Sequence, residues 1–362
     1  MPESGTRRSL LALIAVSALL LTAWLVLAAG APSGAASGAV PSARSTAPAR
    51  SGAALGPSRA ALAAVEWRGG PVTASTGDVL QVFVSESLPV ETATTPEQWA
   101  EFLVGLTHGS ELSQLTSYFA PLVEVQEICG ERTLGCYQRN ELVSLAEPAG
   151  EGAIPEEVAR HEYGHHVASH RSNQPWTAID WGPKRWASTV NVCARVSRSE
   201  AFPGDQRGNY SRNPGEAWAE VYRLMDERRA GITTANWQII DPGFYPGEAA
   251  LQAAEQDVLQ PWAHGRPAAY RKVFGKKTKK VWSIPLRTPL DGDVRVTVTF
   301  PRNGKHEIAL LAPNRRTVIA RGQSVGPRSK TLVATACGQR TLHLRVAQRG
   351  VLGLVRVTAS TP

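Results

Sequence analysis

The sequence predicts an α+β domain followed by an all-β sandwich, and three observations carry that expectation. Between residues 78 and 228, strand-like runs rich in β-branched side chains give way to helices with capping signals. Past Gln260-Pro261-Trp262 the texture changes to short alternating runs bounded by Gly, Pro, Asn or Arg. The charge changes there too. From Arg271 onward, 19 Lys and Arg face only Asp291, Asp293 and Glu307, a net of +16 that leaves −8 on the rest of the +8 chain. With 362 residues, 43% hydrophobic and 19% charged, the chain can bury one large core and a smaller second one. Wholesale disorder and a multispan membrane protein are both excluded.

The first 30 residues set the compartment. Arg7 and Arg8 precede an apolar run from Leu10 to Ala29, followed at once by small residues. This is a signal peptide or a signal anchor, and either delivers the remainder outside the cytoplasm, secreted or tethered by the uncleaved segment. Residues 31–63, rich in Ala, Ser, Gly and Pro, form a linker that cannot offset its own ordering entropy. Four cysteines suit an oxidising compartment. Cys129 and Cys136 could staple a local hairpin, which would leave Cys193 to Cys337 and tie two domains together. Three pairings are formally open.

The first domain spans 64–270. Asp78–Val84 reads as a strand, and Pro96 opens a helix behind the N-cap Thr95. Leu122–Gln126 and Glu141–Ala146 read as short strands around the Cys129/Cys136 turn. Pro155, followed by Glu156 and Glu157, opens a second helix, and a third runs from Pro214 through Arg228. Lys276–Lys280 reads as an exposed boundary, with a basic sandwich over 281–362. There Val294, Val296, Val298 and Phe300 share one face, and further strands are expected at 308–311, 317–320, 332–336, 342–346 and 352–358.

The second predicted helix carries His161-Glu162-Tyr163-Gly164-His165. Residues four apart share a helix face, so His161 and His165 can converge on one Zn²⁺, with Glu162 placed to act as general base. A metzincin would continue with Gly at 168 and His at 171; Ala168 and Arg171 stand there, which excludes that class. On the third helix Glu216 and Glu220 are again four apart, so one can ligate metal while the other accepts the free N–H of a ligating histidine. His166 lies about 100° around the helix from His165 and reads as a surface or supporting histidine. Tyr163 reads as a packing aromatic, and Trp176, Trp181 and Trp186 as core, lid or cleft side chains. No G-x-S-x-G elbow or Gly-rich phosphate loop is present.

H-E-x-G-H followed by Tyr210, Asn213, Glu216, Trp218, Ala219, Glu220, Tyr222 and Arg223-Leu224-Met225 resembles the gluzincin metallopeptidases. Within them it is most similar to the catalytic domain of anthrax lethal factor and its bacterial relatives, with a Tyr-to-Glu spacing one residue shorter here. The resemblance covers roughly residues 155–228. It implies a zincin-like fold for the first domain, one Zn²⁺ per chain on His161, His165 and Glu216, Glu220 in support, and Tyr210 assisting at the reacting carbonyl. The sandwich resembles, in pattern, the pre-peptidase C-terminal type of secreted bacterial peptidases. The expected activity is zinc-dependent cleavage of a protein or peptide, with substrate added as a strand along Leu142–Ala146. The basic domain suits an anionic cell-envelope surface; no nucleic-acid motif accompanies its charge. The rival reading is a non-catalytic cell-surface binding protein with a degenerate peptidase domain.

Overall fold

The computed structural model describes residues 56–149, 152–233, 237, 239–302, 305–324, 328–338 and 340–362. The apolar run at Leu10–Ala29 and most of the linker lie outside them. No helix among the described residues is long and apolar enough to cross a membrane.

Helix α1 (Arg59–Ala64) leads into strands β1 (Trp67–Thr73) and β2 (Val79–Ser85), then α2 (Pro96–Val104), β3 (Thr116–Ala120) and α3 (Leu122–Cys129). Strands β4 (Gly135–Gln138) and β5 (Glu141–Leu145) complete a five-stranded sheet in the order β1-β2-β3-β5-β4. Its centre is parallel and its two edges, β1 and β4, run antiparallel. The period of two on β5 shows why both faces are covered. Leu142 joins the large core with Val82, Phe119 and Trp99, while Val143 and Leu145 turn to a second cluster with Val125, Ile128 and Cys129. α2 starts as its sequence requires, with a full capping box between Thr95 and Gln98.

Two expectations fail here for identifiable reasons. Leu122–Gln126 is the start of a helix, α3, not a strand. Its valines suggested β structure, but the residues it buries, Val125, Ile128 and Cys129, are three and four apart, and Pro121 ends the preceding strand. The Leu142–Ala146 segment also cannot accept an added strand, because β5 is paired on both sides, by β3 and β4. The outer edge on that side belongs to β4.

The metal-helix candidate is α4 (Pro155–Ser169), opened by Pro155 with Glu156 and Glu157 in its first turn. The two-residue strands β6 (Ser172–Asn173) and β7 (Trp176–Thr177) and the short helices α5 (Ala178–Trp181), α6 (Lys184–Thr189) and α7 (Val192–Ser197) connect it to α8 (Pro214–Arg229). Asn213 caps α8 by accepting from Gly215 N at 3.0 Å. α4 and α8 approach closely because position 164 is glycine: a Cβ there would stand 2.8 Å from Ala219 Cα and 3.1 Å from Ala219 O. Trp218 Nε1 donates to Gly164 O at 2.8 Å across the same contact. α9 (Glu248–Leu259) then packs beside α6 and α8. Trp186 is a core residue, while Trp176 and Trp181 stack on each other at 4.5 Å.

The C-terminal part is all β. Strands β8 (Ala268–Phe274), β9 (Val281–Thr288), β10 (Gly292–Thr299), β11 (His306–Leu311), β12 (Val318–Ser324), β13 (Ser329–Ala336), β14 (Arg340–Gln348) and β15 (Gly353–Ser360) form two antiparallel sheets, β13-β10-β15-β8 and β12-β11-β14-β9. Val294, Val296, Val298 and Phe300 face inward as the alternation requires, each adding about 1.5–3 kcal/mol by burial. The exposed Lys276–Lys280 run is not the boundary of these sheets. It connects β8 to β9, so the β structure begins one strand earlier, at Ala268.

The sheets are fastened to the α6–α7 segment. Cys193 on α7 is bonded to Cys337, and Asp291 N donates to Ser188 Oγ at 2.9 Å. Within the first domain, the buried Lys184 donates to Gln174 O at 2.6 Å beneath Trp262. Burial pushes the Lys184 ammonium down to about 8, against the pull of Asp291 and Asp293. The other bridge, Cys129–Cys136, joins the end of α3 to β4.

Candidate metal centre

The close contact of α4 with α8 brings Glu216 to His161 and His165, which lie 55 and 51 residues before it in sequence. His161 Nε2 and His165 Nε2 each lie 3.3 Å from Glu216 Oε2, and one donor atom from each of the three falls within 4.8 Å of the others. Zn²⁺ with bonds of about 2.0–2.2 Å at tetrahedral angles separates neighbouring donors by about 3.3 Å, so the set fits that ion in type, number and spacing. His161 and Glu216 are buried, and the His165 side chain is 12% exposed. Among the described residues this is the one group of three or more such side chains able to share a metal ion.

Charged side chains line up behind His161. Glu220 Oε1 stands 3.7 Å from His161 Nδ1, on the side away from the cluster. Its other oxygen accepts from Arg223 Nε at 2.7 Å, and Arg223 Nη1 donates to both oxygens of Glu227 at 2.9 Å. Lower on the same two helices, Arg160 Nε donates to Asp226 Oδ2 at 2.9 Å. Glu216 is desolvated by burial, yet the two histidines hold its carboxyl well below the usual range.

Glu162 does not join the ligand set. Its carboxyl is buried, and desolvation raises its pKa against the pull of His161 and His165. The edge strand β4 passes directly beside it: a Cβ on Gly135 would come within 2.9 Å of Glu162 Cγ. Tyr210, in a short 3₁₀ turn (Tyr210–Arg212), is close to the same carboxylates: burial, then Glu216 and Glu162, raise its phenol well above the usual range, which keeps it neutral. The structure thus gathers His161, Glu162, His165, Tyr210, Glu216 and Glu220.

Comparison with known proteins adds little to this geometry. No family model matches the chain, and no curated protein does. Solved structures similar to parts of it include the pre-peptidase C-terminal domain of a collagenase from Bacillus anthracis, with 11% identity and a TM-score of 0.22 over 26% of this chain and 89% of that one. A second is the C-terminal CBM6 of LamC, a marine laminarinase from Zobellia galactanivorans, with 13% identity and a TM-score of 0.16 over 25% of this chain and 99% of that one.

His166 is a supporting histidine and not a surface one. It is fully buried: Nε2 donates to the Glu111 carbonyl at 2.9 Å, and Nδ1 lies 3.1 Å from the Tyr137 hydroxyl. Burial pushes it down to about 4, so it stays neutral and serves α4 as an internal bracket. Sequence reasoning missed Gln206, whose Nε2 donates to Glu216 Oε1 at 2.6 Å. It lies in an aperiodic loop where no spacing rule could point to it.

Proposed function

We propose that the protein is an extracytoplasmic zinc-dependent endopeptidase of the gluzincin kind. The convergence of His161, His165 and Glu216 beside a separate buried carboxylate, Glu162, carries this reading. A zinc ion on the three ligands would supply Lewis acidity and make the attacking water more acidic. Glu162 takes that water's proton and passes it to the leaving amine. Its raised pKa makes it a stronger base than a free carboxylate and a competent acid afterwards. The neutral phenol of Tyr210 donates to the carbonyl oxygen as negative charge develops there. Substrate backbone pairs with the free edge of β4, Gly135–Gln138, which runs past Glu162. The two disulfides agree with an oxidising compartment.

The purified chain should hold about one Zn²⁺, lose peptide hydrolysis on chelation and regain it when zinc is returned. Elemental analysis with a peptide-library cleavage assay checks this; a chain that binds no zinc would overturn the reading.

The C-terminal sheets serve in this proposal to hold the enzyme on an anionic envelope. Support comes from exposed Arg271 and Arg356, which stand directly opposite each other on β8 and β15, with no acidic partner among the described residues. Like charges so placed repel unless an anion intervenes. Binding to anionic wall polymer should be strong at low salt and lost near 1 M, where charges are screened beyond about 3 Å. Salt-independent retention in a pelleting assay would reject the electrostatic tether.

A further inference from the structure

We propose that Gln206 is a positioning residue that restricts Glu216 to one metal-facing oxygen, an inference that rests on the zinc reading of the site. Glu216 has two carboxylate oxygens, and the structure uses them differently. Oε2 faces both histidines at 3.3 Å, whereas Oε1 accepts the Gln206 amide at 2.6 Å. A carboxylate whose second oxygen is engaged elsewhere offers a single donor, which leaves a coordination position for water and for the substrate carbonyl.

The loop that carries Gln206 is built to hold it there. Asp205 accepts from Arg207 N at 2.9 Å and from Asn209 Nδ2 at 2.8 Å, closing a turn around residue 206. Phe202 N donates to Arg212 O at 3.0 Å and closes the base of the loop. Asn213 Oδ1 accepts from Gly204 N at 3.1 Å and from Gly215 N at 3.0 Å, so one buried amide fastens the loop and starts the helix that carries Glu216. The loop that carries the donor and the helix that carries the acceptor are therefore fastened at one residue, Asn213, which lowers the cost of bringing Gln206 to the carboxylate.

The test uses the full chain with Gln206→Ala and Gln206→Met, the second keeping the bulk while removing the donor. Cobalt(II), substituted for zinc, is the probe, read by its visible absorption and its dissociation constant. In both variants the dissociation constant should rise about 10–100-fold. The absorption band should weaken, because a freed Oε1 can bind the ion as a further donor. Turnover should fall with little change in KM. If both variants match the parent in cobalt affinity and spectrum, Gln206 does not position Glu216, although the zinc reading survives. If Gln206→Met alone restores both, packing and not the amide is responsible, which also overturns the proposal. A parent chain that binds no cobalt would sink this inference together with the reading beneath it.

Discussion

Glu162→Gln is expected to keep its zinc and to lose peptide hydrolysis by about 10²–10⁴-fold, the range over which a positioned base acts. The substitution preserves size, which matters because Gly135 lies so near that a Cβ there would come within 2.9 Å of Glu162 Cγ. It spares His161, His165 and Glu216, so the coordinating set is intact. What it removes is the ability to take a proton and to return it. The loss should therefore appear in kcat and kcat/KM alike, with KM nearly constant. Zinc content and steady-state kinetics on the same preparation decide the matter. Parent-like turnover in the variant would mean that another group is the base.

The second large effect separates two carboxylates that look equivalent in the sequence. Glu216→Gln should release most of the metal on dialysis, because the residue nearest both histidines loses its charge. Glu220→Gln should weaken zinc binding by about 10–100-fold and lower turnover without emptying the site. The distances explain the asymmetry: Glu220 approaches only the far nitrogen of His161, at 3.7 Å. Its removal also leaves Arg223 with Glu227 as a remaining buried partner, so the charge there is not stranded. Zinc dissociation constants for both variants are the measurement. Greater damage from Glu220→Gln would reverse the two roles.

Much of this site was legible because helices repeat. Two histidines and two acids, each pair four apart behind Pro155 and Pro214, declare their faces before any coordinates are known. The alternation on β10 is equally explicit. What stayed hidden depends on contacts across sequence. The placement of β5 inside β4 is a fact of strand order, and it decides which backbone is free to meet another chain. α3 hid its helical period beneath a β-branched composition. The Arg160–Asp226 pair joins residues 66 apart, and Gln206 acts from a loop with no period at all. The Lys276–Lys280 run misled for another reason: a solvated turn that carries the chain from one sheet to the other and a linker have the same composition.

The Cys193–Cys337 bridge closes a ring through 144 positions of chain. In the chain-entropy picture a ring of that size narrows the unfolded ensemble by about 5 kcal/mol. It also changes what a backbone cut can do. Glu216 and Glu220 lie inside the ring, His161 and His165 before it, and the exposed Lys276–Lys280 turn within it. Basic turns of that kind invite trypsin-like attack. A nick there opens the ring into a branched molecule but detaches nothing, since the sulfur link still joins the C-terminal sheets to α7. Outside the cell, where hydrolases are common and thiols scarce, damage to the backbone and loss of a domain become separate events.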